Sequence, residues 1–145
     1  MSAPRFFEAS SHIAAAPEEI WPVLTDVSAW PSWDSGVESV EGVFAVGAKL
    51  TIKVAANPGR AFPVTVQSVD EPNRMVFRGG MPLGLFVGER TYTVTADEGG
   101  SRFTMREQYS GPLTGMIAKS IPDLNPSFQQ FADGLARRVI EQRTT

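Results

Sequence analysis

Residues 49–77 read KLTIKVAANPGRAFPVTVQSVDEPNRMVF, and the strand pairing they permit decides the fold. Leu50, Ile52 and Val54 alternate with Lys49, Thr51 and Lys53, the two-residue period of a half-buried strand. Asn57-Pro58-Gly59 marks a turn, and Phe62, Val64 and Val66 follow on a second strand. Another turn at Glu71-Pro72-Asn73 leads to Met75 and Phe77 on a third. If residue 55 pairs with 61, Leu50 faces Val66, Ile52 faces Val64 and Val54 faces Phe62. If 69 pairs with 74, Val66 faces Phe77. Apolar meets apolar on one face of both hairpins, as antiparallel pairing demands. The expectation is a curved antiparallel sheet with one wet face. Leu50, Ile52, Val54, Phe62, Val64, Val66, Phe77 and Phe103 should point inward, and Lys49, Lys53, Gln67 and Arg102 outward.

Downstream, the run GGMPLG at 79–84 reads as a long flexible loop, and residues 86–96 and 101–110 as a hairpin around Asp97-Glu98-Gly99-Gly100. That loop sets Val94 opposite Phe103, Tyr92 opposite Met105, Arg90 opposite Glu107 and Gly88 opposite Tyr109. The last segment predicts a helix over 125–142, with Asn125 as N-cap and Pro126 as its first residue. Phe128, Phe131, Leu135 and Val139 form one apolar stripe along it. A sheet with a single apolar face needs a cover, and this is the only long helix the sequence offers.

Upstream, residues 5–15 read as a strand with Phe7, Ala9, Ser11 and Ile13 on one face. Pro17 suits the first turn of a helix, with Glu18 and Glu19 at its positive end. Ile20, Trp21 and Leu24 supply its apolar stripe, and Pro22 keeps it short. A second helical turn covers Val27 to Trp30. Trp30 and Trp33 then fall within four residues of each other among Pro, Ser and Gly. Tryptophan is costly to leave wet, so both belong either in the core or along a hollow.

With 145 residues, 42% hydrophobic and 20% charged, the chain is expected to form one domain over 1–145. A net charge of −3 without runs of like charge argues against nucleic acid. The basic residues Arg137, Arg138 and Arg143 lie near the end of the predicted helix, where cations suit its dipole. There is no cysteine, hence no disulfide or thiolate chemistry. No apolar stretch is long enough to span a membrane, and the start, MSAPRFFEASSH, lacks a signal-peptide pattern, so a cytoplasmic location is expected.

Few residues carry an obvious chemistry. His12, the single histidine, alternates with Glu8 and Ser10 and should face solvent. One histidine and no cysteine leave no zinc set, and no metal is expected. There is no Ser-His-Asp arrangement, phosphate loop or dinucleotide fingerprint. Asp34 sits beside a tight turn, where Asp more often caps than reacts. Arg90 and Glu107 share the inner face with Tyr92, Val94, Phe103 and Met105. A buried charged pair is a weak stability device, so it either holds the hairpin in register or binds a polar group of a ligand.

The ordered motifs Ile13-Ala-Ala-Ala-Pro-Glu-Glu-Ile-Trp21, Leu24-Thr-Asp26, Trp30-Pro-Ser-Trp33, Val37-Glu-Ser-Val-Glu-Gly42, Pro72-Asn-Arg-Met-Val-Phe77, Gly100-Ser-Arg-Phe-Thr-Met-Arg-Glu107 and Tyr109-Ser-Gly111 resemble the START-like superfamily. They are most similar to its polyketide cyclase/dehydrase and lipid transport branch, over nearly the whole chain. The resemblance implies an α+β helix-grip fold: a seven-stranded curved antiparallel sheet around a long C-terminal helix, with two short helices after the first strand. It further implies a cavity between sheet and helix that in relatives holds hydrophobic small molecules. The residues expected to bind such a ligand are Trp30, Trp33, Phe62, Val64, Phe77, Arg90, Tyr92, Phe103, Met105, Glu107, Tyr109, Phe128 and Phe131. Three functions stay open: binding of a polyketide, aromatic or lipid-like molecule, a cyclase or dehydrase using Arg90 and Glu107, or a chaperone-assisting or other protein-interaction role. No cofactor is expected, and both monomer and homodimer remain possible.

Overall fold

The computed structural model describes residues 6–57 and 59–143. Strand β1 (Phe6–Ile13) is followed by helix α1 (Pro17–Thr25) and a 3-10 turn (Val27–Ser32). Six further strands come next: β2 (Val37–Gly42), β3 (Lys49–Val54), β4 (Ala61–Asp70), β5 (Arg74–Gly80), β6 (Val87–Asp97) and β7 (Gly100–Ser110). A short helix α2 (Thr114–Ile117) precedes the long helix α3 (Asn125–Arg143). The strands make one sheet in the order β1-β7-β6-β5-β4-β3-β2, antiparallel at every step. The sheet curls around α3 as a half-barrel, which is the helix-grip fold.

The expected facing holds except beyond a bulge in β4, and register holds in part. Leu50, Ile52, Val66, Phe77 and Phe103 are buried; Val54 and Val64 are half-buried and pack on the core. Phe62 is half-buried, with the Arg60 guanidinium 5.6 Å from its ring centre. Lys49, Lys53, Gln67 and Arg102 are exposed. The β3–β4 pairing, however, sets Leu50 opposite Val64 and Ile52 opposite Phe62, two residues from the expected partners. A two-residue slip leaves every side chain on its face, so the hydrophobic pattern alone does not detect it.

In β4–β5 Val66 does oppose Phe77, but a bulge at Gln67 sets Val69 opposite Met75. The extra residue shifts the alternation, so that Val69 packs on the same core as Val66. The β6–β7 hairpin matches expectation along its length, including Arg90 opposite Glu107 and Gly88 opposite Tyr109. The GGMPLG run is no long loop: Gly79 and Gly80 continue β5, Pro82–Gly84 form a 3-10 turn, and the Met81 N–H donates to the Phe86 carbonyl at 2.7 Å.

Helix α3 buries Phe128, Phe131, Leu135 and Val139, together with Ala132 and Gly134. Gly134 lets the helix lie flush: a Cβ there would collide with the Asp34 carbonyl oxygen. The expected N-cap, Asn125, does other work. Its Oδ1 accepts the Glu8 N–H at 3.0 Å, while helical bonding reaches back to the Leu124 carbonyl through the Phe128 N–H, 2.9 Å. Gln129 Nε2 donates to the Ser10 carbonyl at 2.9 Å, and Ser11 Oγ donates to the Ala132 carbonyl at 2.9 Å. These bonds tie α3 along β1.

Phe131→Ala is expected to cost about 3–5 kcal/mol in chemical denaturation, the range for emptying a buried Phe site. Gly134→Ala should lose about 1–3 kcal/mol, because the clash with the Asp34 backbone outweighs alanine's better helix propensity. A Gly134→Ala protein as stable as the parent would show that α3 does not need this close approach.

Candidate functional site

Arg90 on β6 and Glu107 on β7 face each other across the last hairpin, on the concave side. Arg90 Nη2 lies 3.2 Å from Glu107 Oε2, and the two side chains are 20% and 14% exposed. Tyr109, two residues along β7, donates its hydroxyl to the same Oε2 at 2.5 Å. One carboxylate oxygen thus takes both bonds. Gly88, opposite Tyr109, supplies the room: the nearest atoms to a Cβ there would be those of the Tyr109 ring and then Glu107 Oε1 at 3.7 Å. Apolar rings frame the cluster. The Arg90 guanidinium sits 4.8 Å from the Phe128 ring centre, a cation–π distance. Phe86 stacks on Tyr109 at 5.4 Å, and Phe7 meets it edge-on at 6.0 Å.

The remaining predicted residues form an aromatic body beside this cluster. Trp30 is 1% exposed, and its indole Nε1 donates to the Leu24 carbonyl at 2.9 Å. It packs on Phe77, Tyr92 and Phe131, while the half-buried Trp33 packs on Phe131 at 5.1 Å. Phe103 lies 6.0 Å from Phe131, and Met105 is buried. Tryptophans 30 and 33 therefore lie against the sheet–helix core. Phe7 and Phe86 are neighbours of the polar cluster that sequence reasoning did not include. Parity was the available signal for Phe86, which alternates with Gly88 and Arg90.

Two buried polar atoms, Arg90 Nε and the Tyr92 hydroxyl, meet no partner in good hydrogen-bond geometry, although the two side chains lie close enough to interact with each other. The buried hydroxyls of Ser35, Ser101 and Thr114, by contrast, donate to the carbonyls of Trp30, Ala15 and Gly111. Burial holds the Tyr92 hydroxyl above its ordinary ionisation range, and the Arg90 charge pulls it partly back. Tyr109 is also pushed up, by burial first and then by the Glu107 charge. For Arg90, burial acts to lower the value, but the Glu107 charge and Tyr92 outweigh it, and the guanidinium stays protonated.

The other candidates make contacts elsewhere in the fold. His12 is exposed, its Nε2 3.1 Å from the Glu98 carbonyl oxygen. Asp34 takes Arg137 at 2.6 Å and Gln130 at 2.7 Å, fastening the segment after Trp33 to α3. Arg143 reaches Glu19 at 2.7 Å, and Arg138 lies 4.0 Å from Glu141, so the basic cluster is matched by acids. Among the described residues no group of His, Cys, Asp and Glu is placed to hold a metal, and no helix is long and apolar enough to cross a membrane. A surface hollow of about 340 Å³ lies beside Lys49, Thr65, Arg78 and Leu83, and another of about 570 Å³ beside Ala14, Asn73 and Arg143. Neither reaches Arg90 or Glu107; Val64, at the first, is the only predicted site residue on either.

A curled sheet gripping one helix, with a charged pair set into its concave side, defines a helix-grip protein with a polar group in an apolar interior. Over residues 6–139 the chain matches the family described as polyketide cyclase / dehydrase and lipid transport, and it belongs to that family. An uncharacterized protein of Mycobacterium tuberculosis is 29% identical over 144 residues, covering 94% of this chain and 85% of that protein. Truncated norcoclaurine synthase from Thalictrum flavum superposes with a TM-score of 0.67 at 18% identity, over 97% of this chain and 96% of that one. DynU16, a protein in the dynemicin biosynthetic locus, superposes with a TM-score of 0.68 at 19% identity, over 97% of this chain and 49% of that one. At such identities the likeness establishes the fold.

Two outcomes test this geometry. Glu107→Ala strands a largely buried guanidinium and should cost about 3–5 kcal/mol, whereas truncating an exposed pair such as Arg137–Asp34 should cost about 1 kcal/mol or less. Second, the chain has two tyrosines, 92 and 109, and both are held protonated by the fold. Below about pH 10 folded and unfolded chains bind these protons equally; above it the unfolded chain releases them and the folded one does not, so stability falls as pH rises. Tyrosinate absorbance should therefore appear together with unfolding. Reversible titration of both tyrosines near pH 10 with the fold intact would contradict their burial.

Proposed function

We propose that this protein binds a hydrophobic or amphipathic small molecule, polyketide-, aromatic- or lipid-like, between the concave face of the sheet and α3. The observation that carries the reading is the Arg90–Glu107–Tyr109 cluster, a charged pair and a hydroxyl on a face otherwise built from aliphatic and aromatic side chains. A buried ion pair adds little to stability, while apolar walls with a few convergent polar groups are the usual make-up of a small-molecule site. The family description, polyketide cyclase / dehydrase and lipid transport, supports the same class of ligand. Entry of a ligand requires rings to part, and Phe86, stacked over Tyr109 just before β6, is one of those that frame the cluster.

A second reading is favoured by the 2.5 Å bond from Tyr109 to Glu107 beside Arg90. In a cyclase or dehydrase, Arg90 would polarise a carbonyl while Glu107 moved a proton, with Tyr109 positioning the carboxylate. The synthase among the structural neighbours shows that this fold hosts an enzyme.

Native mass spectrometry of freshly purified protein, followed by solvent extraction, is expected to release an unmodified hydrophobic compound. Turnover of a polyketide-like substrate, abolished in a folded Glu107→Gln protein, would establish the enzyme instead. A protein that is empty as purified and takes up neither aromatic nor acyl-chain compounds would end the ligand-binding reading.

A further inference from the structure

The turn between β5 and β6 places two unfavourable features on one residue. Leu83 is 96% exposed, and its backbone is left-handed, with φ at 62°. A large aliphatic side chain is poorly placed in water, and the left-handed region is costly for any residue with a Cβ. A glycine there would remove both. We propose that this end of the protein docks on an anionic phospholipid surface, with Leu83 entering the boundary of the acyl chains. The docking does not depend on a ligand in the interior.

Other exposed apolar residues collect around Leu83. Residues 81–85 are all exposed, so Met81 and Leu85 put two more apolar side chains on the same turn. The Leu113 N–H donates to the Leu85 carbonyl at 2.9 Å, which sets α2 beside the turn and brings in Met116, itself 70% exposed. Gly111 permits this approach, since a Cβ there would collide with the carbonyl oxygens of Gly84 and Leu85. Two segments distant in sequence thus project aliphatic side chains from one end of the half-barrel.

Cations border the same end. The hollow of about 340 Å³ beside Met81 and Leu83 is also lined by Lys49, Thr65 and Arg78, which stand opposite one another on β3, β4 and β5. Lys49 and Arg78 are exposed, as is Lys119 just after α2. Glu89, opposite Arg78 on β6, and Asp123, which accepts the Asn125 N–H, pair with none of the three. Unpaired cations gathered in a chain of net charge −3 mark a face for an acidic partner.

The shape and chemistry of this face suit a bilayer. It projects on turns, and it lacks the aromatic anchors that dominate protein interfaces. Apolar tips that enter the headgroup boundary, with Lys and Arg placed to meet lipid phosphates, have the composition of an interfacial anchor. The Lys49–Arg78 hollow, with the Thr65 hydroxyl between, can receive the phosphate of one headgroup.

Flotation of the full chain tests this, with vesicles of phosphatidylcholine alone and of phosphatidylcholine mixed with phosphatidylglycerol. Binding is expected to the anionic vesicles and little to the neutral ones, and it should fall as salt is raised. Leu83→Gly should bind about tenfold more weakly, the effect of one buried leucine side chain. It should melt no lower than the parent, because glycine adopts the left-handed turn without strain. Lys49→Gln and Arg78→Gln should each weaken binding about fivefold. No flotation with either vesicle overturns the docking. Equal binding to both vesicles, or undiminished binding by Leu83→Gly, overturns it as well. Self-association without flotation, abolished by Leu83→Gly in sedimentation velocity, would assign the patch to a second copy of the chain and refute the membrane. Each of these outcomes leaves the ligand-binding reading standing, since that reading rests on the interior.

Discussion

The concave face of the sheet must be taken out of water, and α3 is the element that does it. Phe128, Phe131, Leu135 and Val139 lie along one side of the helix, and the two rings reach β1, β7 and β6. That contact works only if the helix axis comes close. Gly134 permits this, because the backbone of Asp34 occupies the space a side chain would need. Arg137 and Gln130 then hold the Asp34 carboxylate from the same helix, so one short segment after Trp33 is clamped at backbone and side chain together. The position of Trp30 against Phe77, Tyr92 and Phe131 follows from that clamp.

Within so apolar an interior the Arg90–Glu107 pair is an expense. Desolvation opposes both charges, and their attraction offsets it only with good geometry and further hydrogen bonds. Glu107 has these from Arg90 and Tyr109; Arg90 has the Phe128 ring on one side but an unbonded Nε. A pair kept only for stability would be expected to satisfy all its donors. The unfinished half of the network faces Tyr92, which is also unfinished. The cluster is thus asymmetric, with two bonds on one carboxylate oxygen toward β7 and a looser contact with Tyr92 along β6.

Much of this was legible in the sequence, for a definite reason. Two-residue alternation fixes faces, so the inward set from Leu50 to Phe103 follows from the residues alone, and a tight loop at 97–100 fixes the partner of Arg90 without further information. Distances along the strands were less accessible. The β3–β4 register differs by two residues because a slip of two preserves every face, and the bulge at Gln67 has no pattern that the chain displays before Val69 is seen to pack inward. Asn125 reads as a cap because only local geometry is visible in sequence, whereas its partner, Glu8, is more than a hundred residues away. The site's pairing was readable and its incompleteness was not, since an unmade hydrogen bond leaves no trace in residue order.

The sheet begins with β1 and ends with β2, and the two borders are treated differently. Along β1, Asn125 and Gln129 bond to the backbone of Glu8 and Ser10, occupying groups that would otherwise invite another strand. Along β2 no such bonds from α3 occur among the described residues, but Glu38 and Glu41 stand exposed on a strand of six residues. A second copy docking there edge to edge would align acid with acid on a short, bulged strand. One border is thus sealed by side-chain mimicry of a neighbouring strand, and the other carries charge on a short, bulged edge, the kind of border that disfavours pairing with a further strand.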